Sequence, residues 1–523
     1  MKRISPENQE EQFTIIFVLF ATLLGLVLRI AAPLQASIPL NDGGLFYVMI
    51  QDIQQNGYAL PAFTNYNYAR IPFAYPPLAF YFTGLLADLT RVDLLDLLRI
   101  LPAIISTLAI PAFYLLAKLI TPTRLAAAIA TVCFAFMPRD FEWHIMGGGI
   151  TRSFGLLLAL LTMAAAIQLF KTGQSRFIIW TIAWGALLVA THPEAALQTA
   201  LAVLIFYLFL NRTTKGIINS AIVAIGILVL TSPWWWTVIS QHGLGPLLAA
   251  PGAAKVDALN PIVRLFLLFR FEFTGEQFVQ VLAVMGLIGL TISLAKKDFF
   301  LPAWLTLPLL IEPRSAPVYI IIPLAILAGW ALTEYIFPLL RKIKNPTNSE
   351  SVHILNDKTV RLFLGFLIIY SVMSSYAASS TIQKDFTLTE TDLDAFQWVE
   401  ANTLPDSQFL VLTGQHHLRD AVSEWFPVLA KRRSQATVFG YEWVPDGRFR
   451  QRIEEYQRLQ ACLYRNASCL DDWSRQVNAD FSYAYLWNRF NPERFPLSLY
   501  LQANPEYELV FQNEQTMIFQ KLR

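Results

Sequence analysis

Long apolar runs separated by short polar connections fill most of the first 380 residues of this 523-residue chain. A helix that crosses a membrane needs about 20 consecutive apolar residues. About eleven runs approach that length, so the pattern predicts an all-α bundle of membrane helices. The runs are Phe13–Ala32, Arg99–Leu119, Leu125–Met137, Phe154–Phe170, Phe177–Thr191, Ala195–Leu210, Gly216–Trp236, Phe278–Ala295, Phe299–Ile311, Pro317–Phe337 and Arg361–Ala378.

The pattern changes after Ala378, where shorter apolar segments alternate with polar ones. Their periods are typical of a soluble domain of mixed helix and strand. We therefore expect a membrane domain over residues 1–380, with an outer loop over residues 33–98, and a soluble α/β domain over residues 381–523. The predicted elements of the second domain are a helix capped at Thr391–Asp394, a strand at Gln408–Thr413, a helix at Arg448–Cys462, and a hairpin of Tyr507–Phe511 with Met517–Lys521.

Composition supports a membrane protein with several spans. Only 15% of the residues are charged and 55% are hydrophobic, with a mean hydropathy of +0.43, whereas soluble domains average about 25% charged residues. A net charge of +2 gives no indication of a nucleic-acid partner. Cys462 and Cys469 either pair in an oxidising compartment or remain two thiols.

The positions of the basic residues predict the orientation in the membrane. Cytoplasmic connections are enriched in Lys and Arg. With a cytoplasmic N-terminus every short inner connection is basic, provided that the apolar segment Pro76–Leu89 lies at the interface instead of spanning. The soluble domain is then extracytoplasmic, and most acids lie on the outer face. The basic inner connections hold Lys118 and Arg124, Lys171 and Arg176, Arg212 and Lys215, and Lys296 and Lys297.

The segment from Pro39 to Pro77 carries more chemistry than a simple connection needs. Asp42 stands before Gly43 and Gly44, and eight aromatic residues follow as far as Tyr75. Asp42 has two compatible interpretations. It caps a helix that starts near Leu45, or it is a general base in a glycine-rich turn that a substrate approaches.

Three further outer residues alternate along one segment. Asp140, Glu142 and His144 have the residue types that bind a divalent metal ion. Such a cluster is more often a solvated loop. We therefore predict no certain cofactor, and a divalent metal ion is the one candidate.

Two more outer positions are candidates for substrate contact. His192 and Glu194 flank Pro193 where a span emerges, which is also a good helix start. Arg314 stands between prolines at a fixed exit point, where a guanidinium suits either a phosphate or lipid headgroups.

The order of these motifs resembles the GT-C superfamily of membrane glycosyltransferases, and within it the protein O-mannosyltransferase type. That type has an acidic first loop, a His-Pro-Pro-Leu segment and an Arg in the second span; this chain has Asp42, Tyr75-Pro76-Pro77-Leu78 and Arg99. It differs in having Tyr75 for the His and one acid where that type has two. The chain also resembles uncharacterised prokaryotic relatives in three segments, Glu312-Pro313-Arg314-Ser315-Ala316-Pro317, Trp398-Val399 and Trp425-Phe426-Pro427.

The resemblance implies an inverting transfer of a sugar from a polyprenyl-phosphate donor to a hydroxyl acceptor on the outer face. Asp42 would be the general base, and Arg314 with Arg99 or His192 would stabilise the lipid phosphate. The predicted partners are a lipid-linked sugar, the membrane and an acceptor of unknown class. The substrate-binding candidates are Tyr75, Arg99, His144, His192, Glu194 and Arg314.

A membrane transporter or lipid flippase is the alternative function. It predicts charged residues near the middle of spans. Charged residues in the predicted spans lie near helix ends, at Arg29, Lys118 and Glu334, which favours the transferase.

Overall fold

The computed structural model describes residues 6–253, 272–344, 353–487 and 496–522. Within them, seven helices are long and apolar enough to cross a membrane, and five apolar helices are shorter. Each predicted run corresponds to a helix, so the polytopic bundle is confirmed. The helices of this part are α1 Pro6–Gln35, α2 Gly44–Gln55, α3 Leu78–Thr90, α4 Leu94–Ala117, α5 Arg124–Ala135, α6 Gly149–Thr172, α7 Ser175–Val189, α8 Pro193–Leu210, α9 Thr214–His242, α10 Gly245–Ala253, α11 Val281–Ala295, α12 Phe300–Ile311, α13 Ala316–Tyr319, α14 Ile321–Ala331, α15 Phe337–Lys344 and α16 Lys358–Phe386.

Small residues let the central helices of the bundle approach closely. A Cβ at Gly329 would lie 2.5 Å from the backbone nitrogen of Ala130, so α14 and α5 meet backbone to backbone at that point. Membrane helices commonly use small residues in this way, because lipid tails compete with any apolar side chain. α5, α6 and α14 therefore form a tightly packed centre, around which the other spans lie.

The segment between α1 and α4 is a folded layer instead of an open loop. α2 and α3 pack on each other, and β1 (Phe63–Thr64) pairs with β2 (Ile71–Pro72) in an antiparallel ribbon. Its apolar side chains form a separate core that includes Tyr66, Phe73 and Phe80. The aromatic residues noted in the sequence therefore build this layer.

The second part of the chain is an α/β domain. Its sheet has the strand order β4-β3-β5-β7-β6; β3 is parallel to β4 and β5, and β7 is antiparallel to β5 and β6. Apolar clusters cover both faces of the sheet, which explains the fully buried run of β5. The elements are α17 Glu390–Asn402, β3 Gln408–Leu412, α18 Ala421–Leu429, β4 Arg433–Ser434, α19 Phe449–Ala461, α20 Ser468–Val477, β5 Tyr483–Trp487, α21 Leu497–Gln502, β6 Tyr507–Gln512 and β7 Thr516–Lys521.

Details of the second domain follow the sequence signals closely. The predicted strand, helix and hairpin are all present, although the cap of α17 is Thr389, whose side chain and that of Asp392 bond each other's backbone N–H. Cys462 and Cys469 form a disulfide.

The last membrane helix, α16, continues to Phe386, beyond the run that ended at Ala378.

A buried ion pair joins the first membrane helix to the segment before α6. Arg29 Nη2 lies 2.5 Å from Asp140 Oδ2, and both side chains are almost fully buried. Arg29 also donates to Ser106 Oγ and to the carbonyl of Ala135. The guanidinium of Arg29 in α1 therefore contacts α4, α5 and the segment before α6.

We expect the loss of both partners of this pair to cost less than the sum of the two single losses. Arg29→Met or Asp140→Asn alone leaves an uncompensated buried charge and should cost about 3–5 kcal/mol. The double variant buries two neutral groups and should be less destabilised than the sum of the single variants. Thermal unfolding in detergent measures the effect. Arg124→Met, at the exposed Arg124–Glu11 pair, is the matched control, and additive costs at Arg29 and Asp140 would contradict the prediction.

Candidate active site

Asp42 lies in a tight turn before α2. Its neighbours Asn41 and Gly43 have positive φ angles of 53° and 121°, which Asn and Gly adopt more readily than other residues. Asp42 Oδ1 accepts a hydrogen bond of 3.0 Å from the backbone nitrogen of Gly148, the residue that precedes α6. The carboxylate therefore caps α6, and not α2 as the capping interpretation expected.

Arg152, in the first turn of α6, is the charged partner of Asp42. Its Nη2 lies 2.9 Å from Oδ1 and 2.8 Å from Oδ2. Its Nε donates to the carbonyl of Trp143 at 2.9 Å, which fixes the plane of the guanidinium. Gly148 makes room for this pair, because a Cβ there would lie 2.6 Å from Asp42 Oδ2.

The Asp42 carboxylate retains capacity for another hydrogen bond. A carboxylate accepts at about four positions, and the described residues supply donors to three: two on Oδ1 and one on Oδ2. The Asp42 side chain is 16% exposed. A hydroxyl that reached Oδ2 could therefore bond without displacing Arg152.

The C-terminal domain covers this turn. The Glu424 side chain, on α18, accepts from the backbone nitrogens of Gly43 at 2.8 Å and Leu45 at 3.4 Å. Trp425 Nε1 donates to the carbonyl of Asn41, and the Tyr66 hydroxyl donates to the carbonyl of Glu424. The start of α2 is thus satisfied by a residue of the other domain.

Arg314 belongs to a second polar cluster, at the N-terminal end of α8. Its Nε lies 3.5 Å from Oε1 of Glu194, and the Arg314 side chain is 42% exposed. Gln198 donates to the carboxylate of Glu312 and to Ser315 Oγ, so that α8 holds the turn that carries Arg314. Glu194 and this turn therefore hold the guanidinium of Arg314 in a partly exposed position.

Tyr75 connects the two clusters. Its hydroxyl lies 3.0 Å from Thr151 Oγ1, next to Arg152 in the chain. Its ring packs edge-on against Phe46 and against Trp443 of the C-terminal domain, with centroids 5.0 and 5.4 Å apart. Burial raises the pKa of Tyr75, and the charges of Glu194 and Glu442 add to that shift. Tyr75 therefore keeps its proton and can donate to a ligand.

Both candidate histidines are uncharged. Burial, together with the positive charge of Arg152, lowers the pKa of His144 and of His192 to about 3. His192 precedes α8 and its Nδ1 accepts from the backbone nitrogen of Ala195 at 3.1 Å. A neutral ring is the form that such a cap requires, because protonation would occupy Nδ1.

Arg99, another candidate from the sequence, has partners of its own. Arg99 donates to the carbonyl of Ala36, just after the end of α1, at 2.6 Å, and it pairs with Asp96 in the first turn of α4. The structure places it with these groups and gives it no bond to Asp42 or Arg314 among the bonds of the described residues.

The candidate metal ligands have separate environments. Asp140 is bound to Arg29, Glu142 pairs with Arg139 at 3.3 Å, and His144 is buried. In the described ranges, no group of three or more His, Cys, Asp or Glu residues is arranged to hold a metal ion.

Solved structures share this architecture, whereas no protein-family model and no curated protein matches the sequence. The archaeal oligosaccharyltransferase AglB from Archaeoglobus fulgidus, solved with an inhibitory peptide and a dolichol-phosphate, superposes with a TM-score of 0.58 at 14% identity, over 91% of this chain and 69% of AglB. ArnT from Cupriavidus metallidurans, bound to undecaprenyl phosphate, gives a TM-score of 0.55 at 14% identity, over 97% of this chain and 98% of ArnT. The protein has a GT-C fold.

A third GT-C structure, the arabinofuranosyltransferase AftD from Mycobacteria, superposes with a TM-score of 0.57 at 16% identity, over 96% of this chain and 41% of AftD. The resemblance to the GT-C superfamily is thereby confirmed at the level of the fold. Agreement extends over both parts of the chain, since the matches cover more than 90% of it.

Two charged residues of this candidate site were not predicted from the sequence. Arg152 lies three residues after Gly149, just before the predicted span Phe154–Phe170. A charged residue at the start of a span could have indicated a candidate site residue. Glu424 immediately precedes the Trp425-Phe426-Pro427 segment that was noted. Its contact with Gly43 spans 381 residues and has no local signature.

We expect acid to destabilise the protein through its buried neutral histidines. A histidine whose folded pKa is below its unfolded value of about 6.5 costs about 1.4 kcal/mol for each pH unit below 6.5, until the folded pKa is reached. His192→Asn keeps a capping acceptor and has no ring to protonate. Its unfolding temperature should therefore fall less than that of the parent protein between pH 7 and pH 4.5. Equal pH dependence of the two proteins would contradict this prediction.

Proposed function

We propose that this protein is a membrane glycosyltransferase that moves a sugar from a polyprenyl-phosphate donor to a hydroxyl acceptor. The observation that carries the proposal is the position of Asp42 within a GT-C fold. Its carboxylate lies at the junction of the membrane bundle and the C-terminal domain, is held by Arg152 and Gly148, and keeps one acceptor position open.

The proposed reaction inverts the sugar carbon. The acceptor oxygen forms a bond to the anomeric carbon as the bond from that carbon to the phosphate oxygen breaks, and the acceptor proton passes to Asp42. Arg152 fixes the orientation of the Asp42 carboxylate, because its Nη2 binds both carboxylate oxygens. The carbonyl of Trp143 in turn holds Arg152 by accepting a hydrogen bond from its Nε. The lipid phosphate leaves with the bonding electrons.

Arg314 is the proposed contact for the departing phosphate. It is more than a third exposed, it is anchored by Glu194, and the turn that carries it is fixed through Gln198. Positive charge that is already in position where a leaving group develops charge is usually the largest catalytic contribution. Tyr75, between Asp42 and Arg314, is the proposed contact for the sugar. The structure assigns Arg99 to other partners, so we propose no phosphate contact for it.

We further propose that the site faces the outside of the cell membrane, with a cytoplasmic N-terminus. The basic inner connections support this orientation. The disulfide between Cys462 and Cys469 also supports it, since such bonds persist in oxidising compartments. The lipid carriers present in the AglB and ArnT structures support a polyprenyl-phosphate donor.

Asp42→Asn tests the general base. Asn can still accept from Gly148, but it cannot take up the acceptor proton. Turnover with a labelled polyprenyl-phosphate sugar should fall at least about 100-fold, while the variant stays folded and binds the donor. Asp52→Asn is the matched control, because Asp52 is a buried acid of α2 that bonds only Asn65 among the described residues. Near-full turnover of Asp42→Asn would contradict the assignment.

Arg314→Lys tests the phosphate contact. Lysine keeps the charge but loses the planar, two-pronged contact that guanidinium makes with phosphate. We expect kcat/KM for the lipid-linked donor to fall at least about 10-fold, equivalent to roughly 1.4 kcal/mol. Arg139→Lys, at the neighbouring Arg139–Glu142 pair, should leave it unchanged. A fully active Arg314→Lys variant would assign Arg314 to lipid headgroups or structure.

A further inference from the structure

Glu424 is buried between the two parts of the chain, with 3% of the residue exposed. Its carboxyl group belongs to the first turn of α18, yet its bonds are made to the Asp42 turn. Oε1 accepts from the backbone nitrogens of Gly43 and Leu45. One oxygen therefore satisfies two of the free N–H groups at the start of α2.

The other oxygen of Glu424 has no hydrogen-bond partner among the described residues. The charges of Asp42 and Arg152 both act on Glu424, and Arg152 is already bonded to both oxygens of Asp42. An ionised Glu424 would therefore add a second negative charge beside Asp42, where Arg152 is the cation that acts on both groups among the described residues. A buried charge without its own partner is strongly unfavourable.

Burial and the charge of Asp42 raise the pKa of Glu424 well above its usual range. The N–H groups of Gly43 and Leu45 and the charge of Arg152 oppose the shift, but their combined effect is smaller. A protonated carboxyl group keeps the bonds of Oε1, because its carbonyl oxygen still accepts from Gly43 and Leu45. Protonation also removes the charge from Oε2, which has no partner among the described residues.

We propose that Glu424 is a positioning residue that the C-terminal domain supplies to the Asp42 turn, and that it works as a neutral carboxylic acid. It acts on Asp42 through Gly43 and Leu45 and does not touch the reacting atoms. The effect on catalysis rests on the function proposed above. The charge state of Glu424 does not, and it is measured separately.

The groups that face Glu424 come from four elements. Asp42 lies in the turn before α2, and Arg152 lies in α6. Tyr66, from the outer layer, donates its hydroxyl to the Glu424 carbonyl. Asp420, on the same helix, is bonded by Thr413, Tyr456 and the backbone of Ser423, so its carboxyl group is already satisfied. Of these three acids, Glu424 is the one with a carboxyl oxygen that lacks a hydrogen-bond partner among the described residues.

The pH dependence of stability measures the charge of Glu424 without any substrate. An acid whose folded pKa exceeds its unfolded value stabilises the fold at low pH, and that stability is lost as the pH rises towards the folded pKa. Glu424→Gln copies the neutral acid and does not titrate. Its unfolding temperature in detergent, minus that of the parent protein, should therefore increase by about 3 °C or more between pH 5 and pH 8. A difference that stays constant or decreases with pH overturns the proposal.

Glu400→Gln is the matched control for this measurement. Glu400 is in the same domain, but it is half exposed and pairs with Lys431 at 2.6 Å. The same chemical change there should not produce an increase with pH. An equal increase in Glu400→Gln would show that the effect does not belong to Glu424, and would overturn the proposal.

Turnover of a labelled polyprenyl-phosphate sugar tests the positioning role. Glu424→Gln should retain kcat within about threefold, since it keeps an acceptor for Gly43 and Leu45. Glu424→Ala removes that acceptor and should lower kcat at least about 10-fold. A Glu424→Gln variant as impaired as Glu424→Ala overturns the neutral-acid role. If the parent protein itself transfers no sugar, the proposed function fails, while the stability measurement still decides the charge of Glu424.

Discussion

The bonds between the Asp42 carboxylate and the start of α6 are the constraint on which the site depends. They join the folded layer between α1 and α4 to the membrane bundle through Arg152 and Gly148. They also require the small residues around them. A carboxylate in this position neutralises the cation and caps a helix as well. The structural role of Asp42 and its proposed catalytic role therefore depend on the same geometry.

The second domain adds contacts to the Asp42 turn and to Tyr75. α18 satisfies the start of α2 through Glu424, while Trp443 packs on Tyr75, the residue between the two polar clusters. Asn67 and Ser434 exchange two backbone and side-chain bonds of 2.8 Å farther along the same surface. The domain is therefore part of the wall of the site, and its orientation relative to the bundle is fixed by polar bonds at several separate points.

Local patterns predicted the parts of the structure that depend on neighbouring residues. The spans follow from runs of about 20 apolar residues, and the strand at Gln408–Leu412 follows from a short buried run. Asp42 was found because an acid beside two glycines is unusual in a membrane loop. Its partners were not found, because Arg152 resembles part of a span and Glu424 is distant in the chain. Pairings of that kind are set by tertiary packing, which a single sequence does not display.

The distance in sequence between Gly43 and Glu424 has a consequence for biosynthesis. The ribosome makes the Asp42 turn early and must add 381 residues before the carboxyl group that binds Gly43 exists. During that time several spans enter the membrane while the start of α2 lacks its partner. A chain truncated before α18 would lack the partner of this turn, so the site cannot be completed until α18 has been made.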